Sequence, residues 1–189
     1  MENQEIYYIE ESQAWVCPIA GRWKIIAVGG GASGGYLASA GSEPVAPVAG
    51  GTTSFGSIIA ADGGKSIVAP APSAASALSG YGGYNGISYG GGPVAAANSN
   101  VSSGVENSGV PSTIPTTAIG YGAGGGTYSY GSGTPQGIPG RAGDIKTAIV
   151  TLTEGENIPC TIGKGGETAD AVHAASGADG VIILQYLGV

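Results

Sequence analysis

A glycine pattern stands where a phosphate could be held. Val28 is followed by Gly29-Gly30-Gly31-Ala32-Ser33-Gly34-Gly35-Tyr36, and Gly29-x-Gly31-x-x-Gly34 satisfies the letter of a dinucleotide fingerprint. The chemistry asks for more. The third glycine must open a helix whose first amides meet the pyrophosphate, and an acid about twenty residues on must take a ribose hydroxyl. Here Tyr36-Leu37-Ala38-Ser39-Ala40 is cut short by Gly41 and Pro44, and no acid stands near position 54. With 38 glycines in 189 residues the pattern arises by chance. A P-loop fares no better: Gly64-Lys65-Ser66 has Ile59 where the first glycine belongs, and Gly163-Lys164-Gly165 lacks the following Ser or Thr. No cofactor is expected.

The catalytic residue types are sparse. His173 is the single histidine, and neither Cys17 nor Cys160 nor any carboxylate cluster lies at ligand spacing from it, so no metal site is expected. Asp170 and Asp179 are near His173 in sequence, but no serine sits in a Gly-x-Ser-x-Gly elbow. Glu154 and Glu156 flank Gly155 and read as a solvated turn rather than an acid–base pair. Two cysteines are too few for a disulfide framework; both read as small buried hydrophobes, with a bridge between them as the alternative. The tyrosines remain. Tyr81, Tyr84, Tyr89, Tyr121, Tyr128 and Tyr130 lie among Gly, Ser, Ala and Asn, a composition that suits adaptable recognition loops. Each is a candidate binding residue, and each has a structural alternative as an amphipathic packer between glycine-rich strands.

The elements that must position these residues are strands. Glu5–Glu10, Ala14–Cys17 and Arg22–Val28 form β-rich runs, the last stopping at the triple glycine. Gly50–Ala60 reads as a strand, with Asp62-Gly63-Gly64-Lys65 as a hairpin turn and Ser66–Ala69 as its return. In 145–153, Ala148, Val150 and Leu152 share one face while Thr147, Thr151 and Thr153 share the other, the period of a half-buried strand. Pro159 predicts an edge strand or bulge for 158–162, and the apolar run Val181–Leu187 predicts a central strand. Ala169–Ala175 could form at most a turn or two of helix. From Pro70 to Gly140 the only charged residue is Glu106. That stretch cannot bury a core of its own; ordered long loops or polyproline-II strands packed backbone to backbone are expected, with a disordered linker as the alternative.

The totals narrow the function. Six Lys and Arg against thirteen Asp and Glu give a net charge of −7. With no basic stripe, nucleic acid is not an expected partner. No apolar run reaches the length of a membrane span, and the acidic start Met1-Glu2-Asn3-Gln4-Glu5 lacks the form of a signal peptide, which predicts folding in a cytoplasm.

Four stretches, in order, carry a resemblance. Trp15-Val16-Cys17-Pro18-Ile19-Ala20-Gly21 through Arg22–Gly31 resembles the opening of the glycine-rich domains of bacteriophage tail fibres and related appendage proteins. Gly50-Gly51-Thr52-Thr53-Ser54-Phe55-Gly56 with Ala61-Asp62-Gly63-Gly64 resembles the strand that follows there. Val150–Ile158 with Thr161-Ile162-Gly163-Lys164-Gly165-Gly166 is similar to that family's late strand and glycine exit, and Gly177–Ile183 to its closing strand. A β-sandwich with a glycine-rich insertion also occurs in some animal receptor ectodomains, so fold likeness alone does not fix the biology.

The expectation is therefore an all-β chain: a jelly-roll-like sandwich built from residues 1–69 and 143–189, with 70–142 as a glycine-, serine-, alanine- and tyrosine-rich insertion. The resemblance implies a non-catalytic virion protein of tail, fibre or tail tip, made in the host cytoplasm and acting in host attachment. It implies other virion proteins and a host receptor or glycan as partners, and a homo-oligomer, with a trimer favoured. The alternatives are capsid decoration or a head fibre and, from another class, a carbohydrate-active enzyme. That enzyme would need convergent carboxylates, and the interior offers only Glu106.

Overall fold

The computed structural model describes residues 5–36, 45–65, 118, 120–125, 137–138, 140–169, 171 and 174–189. Those residues form two four-stranded antiparallel sheets and a two-stranded ribbon, with no helix among them. The first sheet runs β1 (Ile6–Ile9), β10 (Val181–Gly188), β3 (Gly21–Val28), β8 (Ile145–Leu152). The second runs β2 (Gln13–Val16), β9 (Asn157–Thr161), β5 (Thr53–Phe55), β6 (Ile59–Ala61). The ribbon pairs β4 (Gly35–Tyr36) with β7 (Gly137–Ile138).

Alternation decides what each strand buries. On β3, Trp23 and Ile25 face the second sheet, where they meet Trp15, Cys17, Phe55, Ile158 and Cys160; Ile9, Ile182 and Leu184 complete this core. Its centre is aromatic. The Trp15 and Trp23 rings stand edge to face at 5.3 Å, Phe55 lies 5.6 Å from Trp15, and Tyr186 lies 5.1 Å from Trp23. Ile26, Val28, Val181 and Ile183 point the other way and form a second, smaller cluster on the outer face of the first sheet. The expected faces of β8 are observed, with Leu152 buried and Ala148 and Val150 half-buried while Thr147 and Thr151 are exposed. The terminal strand β10 is central. Both cysteines are buried and unbridged.

Two local expectations are corrected. Pro159 lies on β9, which is an inner strand between β2 and β5. In an antiparallel strand a residue's N–H and C=O point to the same neighbour. The Pro159 carbonyl accepts the Gly56 N–H at 2.7 Å, so its missing N–H faces the end of β5, where Gly56 turns the chain away at φ 54°. The hairpin turn is that same Gly56-Ser57-Ile58, not Asp62–Lys65. Residues 62–64 instead continue β6 into a glycine bundle; the expected return strand 66–69 lies outside the described residues.

That bundle is built around the loop at Gly29. Its six consecutive amides, Gly29 to Gly34, donate in turn to the carbonyls of Asp144, Gly51, Ala178, Arg141, Val48 and Ala175, at 2.7–2.9 Å. Partners recur every third residue: 144 then 141, 51 then 48, 178 then 175. Three residues per turn is the period of a polyproline-II chain, whose N–H groups radiate in three directions. In the gaps, the carbonyls of Gly30, Gly31 and Ala32 accept from Gly64, Gly166 and Gly125. The axis 29–34 is thus ringed by six segments. Going round, these are 48–51, 62–64, 140–144, 122–125, 175–180 and 163–166, and each is hydrogen-bonded to the next until the ring closes. Segments that lead away from the sandwich alternate with segments that return to it. Glycine is required at this spacing: a Cβ on Gly31 would stand 1.9 Å from the Ala123 carbonyl oxygen, and one on Gly30 2.2 Å from that of Lys164. The buried hydroxyls are satisfied too, Ser33 by the Val48 N–H and Thr53 by the Gly163 N–H.

Candidate functional site

The loop once legible as a nucleotide cradle has no free amides to offer a phosphate, since all six are spent within the bundle. Its glycines form the axis of a scaffold. Four of its described segments, 29–36, 62–65, 122–125 and 163–166, head away from the sandwich. Beyond the axis, β4 and β7 extend it by one short ribbon.

Among the candidate tyrosines, Tyr81, Tyr84, Tyr89, Tyr128 and Tyr130 lie outside the described residues, as does His173. Tyr121 is described. Its ring packs on Ile26, Val28, Val181 and Ile183, and its hydroxyl donates to the Glu10 carboxylate. This bond, followed by burial, raises the Tyr121 pKa above its ordinary value. Tyr121 covers the outer face of the first sheet just before the chain enters the bundle at Gly122.

A solvent-open groove of about 410 Å³ lies on the bundle's flank, lined by Lys164, Gly165, Glu167, Thr168, Ser176, Gly177 and Asp179. It runs between two adjacent ring segments, 163–166 and 175–180. Asp179 is fixed there: one carboxylate oxygen accepts from the Lys164 ammonium at 2.6 Å and the other from the Gly165 N–H at 2.8 Å. Partial burial pushes the Asp179 pKa up, but Lys164 and the Gly165 amide outweigh it and hold the carboxyl below its usual range. The Ser176 oxygen accepts the Thr168 N–H at 3.2 Å, which leaves the Ser176 hydroxyl hydrogen free to donate. An ammonium, a hydroxyl and two carboxylates can exchange hydrogen bonds with a polar ligand; among the described residues no nucleophile with an adjacent base is assembled there. The groove is not apparent from the sequence because its residues lie in stretches that read as glycine exits. The clue was the pair of charges, Lys164 and Asp179, set singly among glycines.

The remaining candidates are structural. Glu156 accepts from the Thr153 N–H and hydroxyl at 3.1 and 3.2 Å, tying its own turn. That turn docks on Cys17, whose N–H and C=O both bond to it. Burial raises the Cys160 thiol to about 11, the opposite of what a nucleophile needs. No group of three metal-ligating side chains occurs among the described residues, and no described helix is long and apolar enough to cross a membrane. Comparison of the chain with family models, with curated proteins and with solved structures finds no match.

Proposed function

We propose that this chain is a bacteriophage virion protein of the tail, fibre or tail tip that attaches to the host surface by binding, without catalysis. The observation that carries the reading is the ringed glycine bundle. A spacer whose axial amides are all paired is stiff, and four of its segments head away from the sandwich. In sequence, the stretches that follow Lys65 and Gly125 hold Tyr81, Tyr84, Tyr89, Tyr128 and Tyr130, the residue type best suited to rigid, amphipathic contacts. The groove at Lys164 and Asp179 adds a polar contact surface on the bundle. The ligand is a host receptor or glycan, and the other partners are virion proteins.

The sandwich is read as a jelly roll. Of its eight strands the first pairs with the last, the second with the seventh, the third with the sixth and the fourth with the fifth, which is a hairpin rolled up on itself. The bundle segments are read as polyproline-II strands on the strength of their three-residue period. A homo-oligomer, with a trimer favoured, follows the resemblance to appendage proteins.

The test is adsorption. Purified protein is expected to bind host cells and compete with phage, and replacing Tyr128 and Tyr130 together, or Tyr81, Tyr84 and Tyr89 together, with alanine should abolish binding while the circular dichroism spectrum is kept. Binding unchanged in both variants would overturn the role of these tyrosines. Antibody labelling of the capsid shell instead of the tail would move the protein to head decoration.

A further inference from the structure

Among the described residues the first sheet ends at two unpaired edges, β1 and β8. Neither makes a backbone hydrogen bond to a described residue on its outer side: β1 pairs only with β10, and β8 only with β3. Although β6 passes close to β8, it pairs with β5 alone. Edges of this kind are templates for another strand unless they are short, bulged or charged, and β8 is eight residues long.

The two edges are complementary. Three successive antiparallel pairings make β1 and β8 run in opposite directions. Side by side in neighbouring molecules of one orientation, they would therefore form an antiparallel ladder. Both edges carry large apolar residues on the outer face of the sheet: Ile6 and Tyr8 are 50% and 59% exposed, Ile145 and Ile149 47% and 55%. Ile6 and Ile149 occupy the same row across the sheet, through Gln185 and Lys24. Antiparallel pairing also places the start of β8, with Lys146, beside the end of β1, with Glu10 and Glu11. Lys146 forms no ion pair with a described residue, so opposite charges meet at that end of the join.

We propose that copies of this chain associate head to tail, β8 of one pairing with β1 of the next, so that the first sheet continues from copy to copy. A heterologous contact of this kind closes into a ring when its rotation allows, and a ring of three would satisfy the oligomer implied by the resemblance. The proposal is independent of what the tyrosines bind. It accounts for four exposed apolar side chains with one contact, whereas a two-fold β8–β8 pairing would leave Ile6 and Tyr8 uncovered.

The test uses the full chain. Light scattering should give a mass that is a multiple of the monomer, and Ile149→Glu or Tyr8→Glu should each reduce it to the monomer. Because both positions are exposed, the melting curve of the monomeric variant should retain a single cooperative transition. A double variant carrying Ile6→Cys and Ile149→Cys, the pair that shares a row, should form intermolecular disulfides on mild oxidation, since directly paired residues hold Cα atoms within disulfide range; each single cysteine variant should not. A monomeric wild type, an unchanged mass for Ile149→Glu, or cross-linking by Ile149→Cys alone would each overturn the head-to-tail contact.

Discussion

Gly31 and Ala123 touch through their backbones: a methyl group on Gly31 would lie 1.9 Å from the Ala123 carbonyl oxygen and 2.4 Å from its carbonyl carbon. No side chain is there to move aside. Gly31→Ala should therefore cost more than about 4 kcal/mol, the range reserved for severe steric or network defects, and thermal melting should show a grossly lowered transition or none. Gly155→Ala is the control. Its φ is 80° and nothing lies within 4 Å of the added carbon, so it should cost only the left-handed penalty of roughly 1–2 kcal/mol. Equal losses from both would mean that the bundle is not close-packed.

Trp23 is fully buried and touches rings from both sheets. Trp23→Ala should destabilise the sandwich by about 3–5 kcal/mol, read from the denaturant midpoint at constant slope. Because Trp15 lies at 5.3 Å from it, the double substitution should cost measurably less than the sum of the two single ones.

Tyr121 ties the entrance of the bundle to the sheet. Tyr121→Phe removes only the bond to Glu10 and should cost about 1 kcal/mol. Tyr121→Ala also uncovers Ile26, Val28, Val181 and Ile183 and should cost about 3 kcal/mol. Host-cell binding by Tyr121→Phe should match the wild type; its loss without loss of fold would make Tyr121 a contact residue after all.

The Asp179 carboxyl is held below its ordinary value of 3.8, with burial working against Lys164 and the Gly165 amide. A folded pKa beneath the unfolded one means that the contribution is complete above pH 3.8 and disappears as pH falls through the lower, folded value. The pair is largely exposed, 73% for Lys164 and 45% for Asp179, so the loss should be small, well under 1 kcal/mol for the ion pair itself. Asp179→Asn should flatten this acid limb of the stability profile. A limb as steep as that of the wild type would place its origin in another carboxylate.

The strands were legible because side chains report on them. Ala148, Val150 and Leu152 repeat every second residue, and Val181–Leu187 is apolar enough to require a central place. Pro159 misled because a rule about edges assumes a neighbour opposite every residue, and β5 ends before reaching it. Backbone-to-backbone glycine packing is expected for 70–140, but its axis at Gly29–Gly34 is not legible. A three-residue period in glycine has no side chains to display it, and it appears only when the partners of Gly29 to Gly34 are read in turn. For the same reason the groove between 163–166 and 175–180 could not be foreseen: Lys164 and Asp179 are brought together by backbone register, not by spacing.

The alternation of outgoing and returning segments around Gly29–Gly34 has a consequence for how such a molecule can diverge. A connection that leaves on one segment and re-enters on its neighbour closes on itself, so its length and sequence can change while the glycine ring stays in register. In the sequence, residues 37–44, 126–136 and 167–174 stand between such segments. Lineages could thus exchange these loops like interchangeable heads on a common handle, altering which surface is recognised at little cost to folding.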